Sequence, residues 1–269
     1  MIDLHSHILP GIDDGSQSLE TSLEMARQAV DDGTTVMACT PHIYPGLYMN
    51  DSAGIHAHRD KLQKALDTYG IALKLVVGAD AHLVPELLHG LQSGRVPTLH
   101  GSRYFLLEPS HHVAPPNFED TVFQIMAAGF VPVVTHPERL VWIEDHYATF
   151  VALAQRGAWM QLTAGAIVGK FGKRARYWSE RFLADGLVHL VASDAHTTSV
   201  RNPRLSAAVA QLESAVGKEE ARRMVYDRPQ AILDNALPEQ VAPVPGLARG
   251  AGSGAPAQPP WYRRLWKGR

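Results

Sequence analysis

The stretch Gly129-Phe130-Val131-Pro132-Val133-Val134-Thr135-His136 places a glycine, a β-branched apolar run and a polar pair in close succession. Glycine is favoured just after a helix because it adopts positive φ without strain. A short apolar run bounded by such residues is typical of a buried strand. The same order of features recurs at Gly33, Gly70, Gly157 and Gly186. The stretch therefore predicts a repeated unit in which a strand follows a helix.

Seven strands are predicted when two less regular apolar runs are added to this pattern. They span residues 1–4, 35–39, 73–77, 104–107, 131–134, 159–162 and 187–191. Strands that alternate with helices are typical of parallel β/α units. After residue 196 the chain is predicted to form two helices, roughly 203–216 and 219–235. We predict an α/β fold, and a length of 269 residues suits a single barrel.

Composition excludes several classes of protein. The single cysteine, Cys39, excludes an internal disulfide and a thiolate metal cluster, and it suits a reducing compartment. The first residues contain no signal-peptide pattern, and no run of about 20 apolar residues occurs. A net charge of −2 argues against a dedicated nucleic-acid binder. We therefore expect a cytoplasmic protein whose partners do not include nucleic acid.

The composition changes near residue 238. Residues 238–260 contain six prolines and four glycines and are predicted to be a disordered linker after a domain at 1–237. Residues 261–269, Trp261-Tyr262-Arg263-Arg264-Leu265-Trp266-Lys267-Gly268-Arg269, form a basic-aromatic tail. This tail predicts peripheral contact with the inner face of a membrane or with an acidic partner, and the alternative is a solubilising end.

Side chains that commonly bind metals follow six of the seven predicted strands. They are His5, His7, His42, Asp80, Glu108, His136, Asp194 and His196. Chemistry in a β/α barrel collects at the carboxyl ends of the strands, so we expect these side chains to lie together. One histidine at a strand end is more often structural, but six strand ends with such residues favour a metal site. Imidazole and carboxylate ligands suit Zn, Mn and Fe, and mixed clusters of this size commonly hold two or more ions.

The remaining histidines are treated separately. His82 is undecided, because Asp80-Ala81-His82 repeats the spacing of Asp194-Ala195-His196. The other eight are expected to be structural: His56, His58, His89, His100, His111, His112, His146 and His189.

Two arginines indicate a phosphate ligand, and the absence of nucleophile motifs in the sequence argues against a covalent mechanism. Arg139 follows His136 by three residues and Arg201 follows His196 by five, so both are expected at the rim of the metal site. Arginine offers a planar fork to phosphate oxygens. Cys39 lacks the arginine six residues on that cysteine-dependent phosphatases use, and neither a Gly-x-Ser-x-Gly elbow nor a P-loop occurs.

The opening sequence Met1-Ile2-Asp3-Leu4-His5-Ser6-His7-Ile8-Leu9-Pro10-Gly11-Ile12-Asp13-Asp14-Gly15-Ser16 resembles the bacterial polymerase-and-histidinol-phosphatase (PHP) proteins. Among them the chain is most similar to the manganese-dependent protein-tyrosine phosphatases of capsule biosynthesis. The similarity covers roughly residues 1–235 and continues through Thr40-Pro41-His42, Gly78-Ala79-Asp80, Leu107-Glu108, Thr135-His136-Pro137-Glu138-Arg139 and Ala192-Ser193-Asp194-Ala195-His196. The resemblance implies a distorted seven-stranded, TIM-like β/α barrel with C-terminal helices and a trinuclear metal centre.

The resemblance also implies roles for individual residues. One ion would be held by His5, His7, Asp80 and Asp194, with Asp80 bridging to a second ion that Glu108 and His136 complete. A third ion would be held by Asp14, His42 and His196. Arg139 and Arg201 match the catalytic positions that grip the substrate phosphate. The family commonly has glutamate at the bridging position, so Asp80 shortens the reach of that carboxylate.

The activity implied is hydrolysis of phosphotyrosine on the tyrosine-rich tail of a membrane-associated autokinase that regulates capsular or exopolysaccharide synthesis. The metal implied is Mn²⁺, with Zn, Fe, Co and Mg as alternatives. Two other functions stay open: a PHP phosphoesterase acting on a small molecule such as histidinol phosphate, and a non-enzymatic regulatory binding protein stabilised by metals.

Overall fold

The structure is a computed structural model and describes residues 1–248. The predicted tail, 261–269, and the part of the predicted linker after residue 248 lie outside the described residues. Within the described range the strands are β1 (Ile2–Asp3), β2 (Val36–Cys39), β3 (His42–Tyr44), β4 (Tyr48–Met49), β5 (Lys74–Val77), β6 (Asp80–His82), β7 (Tyr104–Glu108), β8 (Val131–Thr135), β9 (Trp159–Thr163) and β10 (Leu190–Ala192).

The helices in the same range surround the strands and follow them. They are α1 (Leu19–Asp31), α2 (Ser52–Thr68), α3 (Leu87–Gln92), α4 (Phe118–Ala127), α5 (Ile143–Gln155), α6 (Ala164–Ile167), α7 (Gly172–Ala184), α8 (Ser206–Val216), α9 (Lys218–Arg222), α10 (Arg228–Leu233) and α11 (Pro245–Ala248). A π-helical turn, Arg223–Asp227, joins α9 to α10. None of these described helices is both long enough and apolar enough to span a bilayer.

The first helix shows how the repeated unit forms. The Ser18 side chain accepts a hydrogen bond from the Thr21 backbone N–H and caps α1. Leu23 and Ala26 are buried on the inner face of the helix. The chain then leaves the helix through Gly33, whose φ of 94° suits glycine, and continues into β2. The order of helix, glycine and strand expected from the sequence is present here.

Parallel pairing links seven strand segments into a ring. Two of these segments are interrupted, because β2 pairs with β5 and their continuations β3 and β6 also pair. The order around the ring is β1, β2–β3, β5–β6, β7, β8, β9 and β10. A parallel bridge between Ser6 and Ala195 connects the last segment to the first. The predicted α/β fold class is confirmed, with the seven segments of the expected barrel.

Alternation along the strands divides the buried apolar side chains into two clusters. Val76, Leu106 and Val133 belong to a small cluster drawn mainly from the strands. Their strand neighbours Leu75 and Phe105 belong to a larger cluster that includes the helices. Successive residues of a strand point to opposite faces, so the small cluster fills the barrel and the large cluster lies between barrel and helices.

The C-terminal helices cover the end of the barrel where the strands begin. Ile232 on α10 packs with the interior cluster, and the Tyr104 hydroxyl donates to the Ala236 carbonyl at 3.0 Å. The fully buried Arg228 forms an ion pair with Glu220 at 2.7 Å. Arg228 also donates to the His189 carbonyl at 3.3 Å. The opposite end of the barrel, where the strands finish, therefore carries the predicted site.

Residues 238–248 correct the predicted start of the linker. They contain a 3₁₀ turn and α11, and Val244 is fully buried. The Gly246 backbone N–H donates to the Gly186 carbonyl at 2.9 Å. A Cβ at Gly246 would lie 2.1 Å from the Asp185 carbonyl oxygen, so the contact requires glycine. Part of the segment rich in proline and glycine is therefore ordered and packs on the barrel. The division into 1–237, 238–260 and 261–269 otherwise stays a prediction.

We expect Arg228→Ala to lower the free energy of unfolding by about 3–5 kcal/mol, because the buried Glu220 loses its partner at 2.7 Å and keeps only the more distant Arg223 at 3.3 Å. The matched control is Arg222→Ala, since the Arg222 side chain is 65% exposed in its pair with Asp227. That change should cost less than about 1 kcal/mol. Urea unfolding followed by tryptophan fluorescence measures both, and similar small losses for the two variants would contradict a role for the buried pair.

Candidate metal centre

The structure gathers all nine predicted metal-binding residues at the carboxyl ends of the strands. Contacts between imidazole nitrogens and carboxylate oxygens of 3.2–3.7 Å connect the whole set: His5, His7, Asp14, His42, Asp80, Glu108, His136, Asp194 and His196. The predicted convergence of these side chains is therefore observed. Their assignment as metal ligands stays a prediction.

The first group of donor atoms surrounds the Nε2 atom of His5. This atom lies 3.3 Å from His7 Nε2, 3.4 Å from Asp80 Oδ2 and 3.5 Å from Asp194 Oδ1. His7 Nε2 is itself 3.4 Å from Asp194 Oδ1. An ion with bonds of about 2.0–2.2 Å holds its ligands at such separations. His5, His7 and Asp80 are therefore placed to share one divalent ion, and Asp194 Oδ1 lies beside both imidazoles.

The opposite ring nitrogens of both histidines are anchored. His5 Nδ1 lies 2.8 Å from Gln161 Oε1, and His7 Nδ1 lies 2.7 Å from Asp13 Oδ2. Such contacts fix the tautomer that presents Nε2 to a metal. The sequence reasoning missed both partners. Gln161 lies on β9, the one strand for which no polar end residue was found, whereas the Asp-Asp-Gly motif was a signal for Asp13.

A second group forms around Asp14. Its Oδ1 atom lies 3.4 Å from His42 Nε2 and 3.3 Å from His196 Nε2. The loop that carries Asp14 crosses closely over His7, because a Cβ at Gly15 would lie 2.2 Å from the His7 carbonyl oxygen. Glycine at position 15 is thus required to bring Asp14 over the two imidazoles.

A third group forms around Glu108. Its Oε1 atom lies 3.2 Å from His111 Nε2 and 3.7 Å from His136 Nε2. Its Oε2 atom lies 2.5 Å from His82 Nε2 and 3.2 Å from His42 Nδ1. His82 was undecided and His111 was expected to be structural, but both lie against this carboxylate. The i, i+2 spacing from Asp80 was the available signal for His82.

Unpaired buried atoms test whether these residues fit metal ions. Among the described residues, five such atoms belong to the three groups: Asp80 Oδ2, Glu108 Oε2, His42 Nδ1, His136 Nδ1 and His196 Nε2. Buried polar atoms in proteins are almost always hydrogen-bonded. Imidazole nitrogens and carboxylate oxygens left unpaired in one cluster are the donor types that divalent cations bind. The residues present therefore fit a cluster of divalent ions.

The carboxylates strongly perturb the neighbouring imidazoles. Burial lowers the pKa of His5, but Asp80 and Asp194 outweigh it and raise the pKa to about 9. Burial likewise lowers the pKa of His42, but Glu108 and Asp80 raise it to about 10. Both rings consequently carry a proton near neutral pH when no metal is bound.

The two predicted phosphate-binding arginines meet on one carboxylate. Arg139 Nη1 lies 2.5 Å from Asp194 Oδ2, and Arg201 Nη2 lies 2.7 Å from the same oxygen. Burial would raise the pKa of Asp194, but His5 and the two arginines hold it well below its ordinary value. The Arg139 guanidinium also packs over the Phe171 ring at 4.6 Å. Both guanidinium groups are thus fixed beside the donor cluster.

Two of the predicted ligands adopt a backbone conformation that is uncommon for side chains with a Cβ. His136 has φ of 35° and Asp194 has φ of 51°. Residues held in this left-handed region cost about 1–3 kcal/mol each and cluster at functional sites. His136 directly follows β8, and Asp194 comes two residues after β10. The turns after these strands therefore direct both side chains into the cluster.

An antiparallel hairpin formed by β3 and β4 lies beside the cluster and was not predicted. The Tyr44 ring stacks on His82 with centroids 4.1 Å apart, and the Tyr48 ring stacks on His42 at 5.4 Å. Met49 at its end is 77% exposed. The hairpin therefore supplies an aromatic and partly apolar wall next to the candidate ligands.

Comparison with known proteins identifies relatives across most of the chain. Residues 1–234 match the family described as capsular polysaccharide synthesis, CpsB/CapC. The chain is 36% identical to the tyrosine-protein phosphatase YwqE of Bacillus subtilis over 220 residues, which cover 81% of this chain and 86% of that protein. It is 28% identical to the tyrosine-protein phosphatase CpsB of Streptococcus agalactiae over 244 residues, covering 87% and 99%.

A solved structure is similar over nearly the same range. Its description names YwqE from Bacillus subtilis and CpsB from Streptococcus pneumoniae and calls them unique metal-dependent tyrosine phosphatases. The superposition gives a TM-score of 0.84 at 33% sequence identity and covers 88% of this chain and 96% of the other. The similarity therefore extends over most of the chain.

We expect metal binding to the chelator-stripped protein to release protons and to strengthen with rising pH. A metal binds neutral imidazole, so the protons held by His5 and His42 must leave. Affinity should rise about tenfold per pH unit for each proton displaced, up to pH values near those raised pKa values. Calorimetric titrations in buffers of different ionisation enthalpy measure the protons. Heats that do not depend on the buffer between pH 6.5 and 8.5 would contradict this prediction.

Proposed function

The chain belongs to the CpsB/CapC family of capsular polysaccharide synthesis, and on that premise we propose that it is a metal-dependent protein-tyrosine phosphatase. The observation that carries the proposal is the position of Arg139 and Arg201 on Asp194, which is also part of the donor cluster. The cluster supplies ligands for divalent ions, and the arginines supply hydrogen-bond donors for the phosphate on which the ions would act. Both parts of a phosphatase site therefore meet at one side chain.

The proposed metal centre contains Mn²⁺, with Zn, Fe, Co and Mg as alternatives, in up to three sites. The first site uses His5, His7, Asp80 and Asp194, the second Glu108 and His136, and the third Asp14, His42 and His196. Divalent ions in such sites polarise phosphoryl oxygens and lower the pKa of water. The unpaired buried atoms of the cluster support this assignment.

The arginines orient and stabilise the phosphoryl group. Each guanidinium has five N–H donors, so contact with Asp194 leaves others free for phosphoryl oxygens. Donors held in place by Asp194 and Phe171 need little rearrangement as charge develops in the transition state. The leaving tyrosyl oxygen belongs to a phenol with a pKa of about 10, so its departure requires only modest assistance.

The proposed substrate is phosphotyrosine on the tyrosine-rich tail of a membrane-associated autokinase that regulates capsular or exopolysaccharide synthesis. The family description and the names of the relatives support a protein substrate. The Asp14, Arg139 and Arg201 side chains are 46%, 17% and 25% exposed, so these groups of the candidate site reach the protein surface. Comparing rates on a phosphotyrosine peptide and on histidinol phosphate separates this substrate from a small-molecule ester.

We expect purified protein loaded with Mn²⁺ to hydrolyse a phosphotyrosine peptide, and a chelator to abolish the activity. Arg139→Ala should lower kcat/KM by about 100-fold or more, because it removes a fixed donor to the transition state. Arg176→Ala is the matched control, since Arg176 forms an exposed pair with Glu180 on α7. Release of inorganic phosphate measures both. Activity that resists the chelator, or turnover unchanged in Arg139→Ala, would contradict the proposal.

The predicted tail at 261–269 is proposed to bring the protein to an anionic membrane surface. The full chain should sediment with vesicles that contain anionic lipid, whereas a chain ending at Ala248 should not. Truncation at Ala248 keeps the docked segment 238–248 in place. Equal sedimentation of the two chains would assign any vesicle binding to the barrel instead.

A further inference from the structure

We propose that His82 and His111 are metal ligands at Glu108, one beside each oxygen of its carboxylate. The inference rests on the metal centre of the proposed phosphatase and concerns residues of this chain outside the nine assigned above. It arises from the short side chain of Asp80.

The pairing of β6 with β7 places His82 and not Asp80 beside Glu108. In this parallel pair His82 is aligned with Glu108, and Asp80 is aligned with Leu106. Residues two apart on a strand share a face but lie about 6.6 Å apart along it. The carboxylate of Asp80 must therefore reach across that step to join Glu108, and aspartate is one methylene shorter than glutamate.

Asp80 is already engaged deeper in the cluster. Its Oδ2 atom lies 3.4 Å from His5 Nε2 and 3.4 Å from His42 Nδ1. Among the described residues, the groups whose donor atoms all lie within 4.8 Å of one another place Asp80 with His5 and His7, and place Glu108 in two other groups. The ion at Glu108 therefore needs further ligands.

His82 and His42 lie beside one oxygen of Glu108. His82 Nε2 is 2.5 Å and His42 Nδ1 is 3.2 Å from Glu108 Oε2. These three side chains offer donor atoms that all lie within 4.8 Å of one another, close enough to be ligands of one ion. Stacking on Tyr44, with rings 4.1 Å apart and 9° from parallel, fixes the His82 ring in this position.

His111 approaches the other oxygen of the same carboxylate. Its Nε2 atom lies 3.2 Å from Glu108 Oε1, and its ring lies 4.8 Å from the ring of His136. The Val141 backbone N–H donates to the His111 carbonyl at 3.0 Å, which ties its loop to the turn after β8. The loop geometry thus holds His111 at the second oxygen of Glu108, beside His136.

Each oxygen of Glu108 therefore faces two imidazoles: His42 and His82 beside Oε2, and His111 and His136 beside Oε1. Imidazole nitrogen and carboxylate oxygen are ligands of Mn, Zn, Co and Fe. Both oxygens of Glu108 thus lie in donor groups that contain one imidazole beyond the nine residues assigned above.

The experiment changes the proposed ligands. His82→Gln and His111→Gln should each weaken Co²⁺ binding at one site by about 10–100-fold, a loss at least as large as that seen for altered partners of metal ligands. The control is His112→Gln, because His112 is an exposed neighbour of His111. Adding Asp80→Glu to His82→Gln should restore the lost site. Visible Co²⁺ spectra and metal counts give the readout, with circular dichroism of each metal-free variant to verify folding.

Unchanged cobalt spectra and metal counts in both variants would overturn the proposal. These readouts do not depend on turnover, so the outcome for the metal site is separate from the outcome for phosphatase activity. Altered metal binding in a protein without activity on phosphotyrosine would contradict the proposed function and leave the ligand assignment supported.

Discussion

Three carboxylates at the mouth of the barrel are only 0% to 4% exposed: Asp80, Glu108 and Asp194. Their negative charge determines which side chains surround them. A buried charge costs several kcal/mol unless a partner compensates it. The compensating groups are the imidazoles at the strand ends and the two arginines that contact Asp194. The same negative charge raises the pKa values of His5 and His42. Divalent ions compensate this charge better than protons, since one ion serves several carboxylates at once.

Much of the barrel and of the donor set could be predicted because the signals are local. A glycine after a helix and an apolar run identified β8, and a less regular apolar run identified β7, each to within one residue of the observed ends, Thr135 and Glu108. Parallel strands around a ring all finish at the same edge. Residues that end different strands, such as His136 and Asp194, are therefore neighbours however far apart they lie in the chain.

What the sequence could not provide depends on alignment between segments. Whether Asp80 or His82 lies beside Glu108 follows from the pairing of β6 with β7, which periodicity does not reveal. Gln161 became a partner of His5 only through the closure of the ring. Composition also failed at residues 238–248, where proline and glycine serve close packing against Gly186 and not disorder. Local propensity is overridden in each case by a tertiary contact.

The docked segment 238–248 lies away from the candidate site. These residues contact the turn at Asp185 and Gly186, just before β10 begins, whereas the donor cluster lies where the strands end. The described chain thus finishes at the face of the barrel opposite its mouth. Residues 238–248 therefore support the start of β10 without occupying the surface that carries the donor cluster.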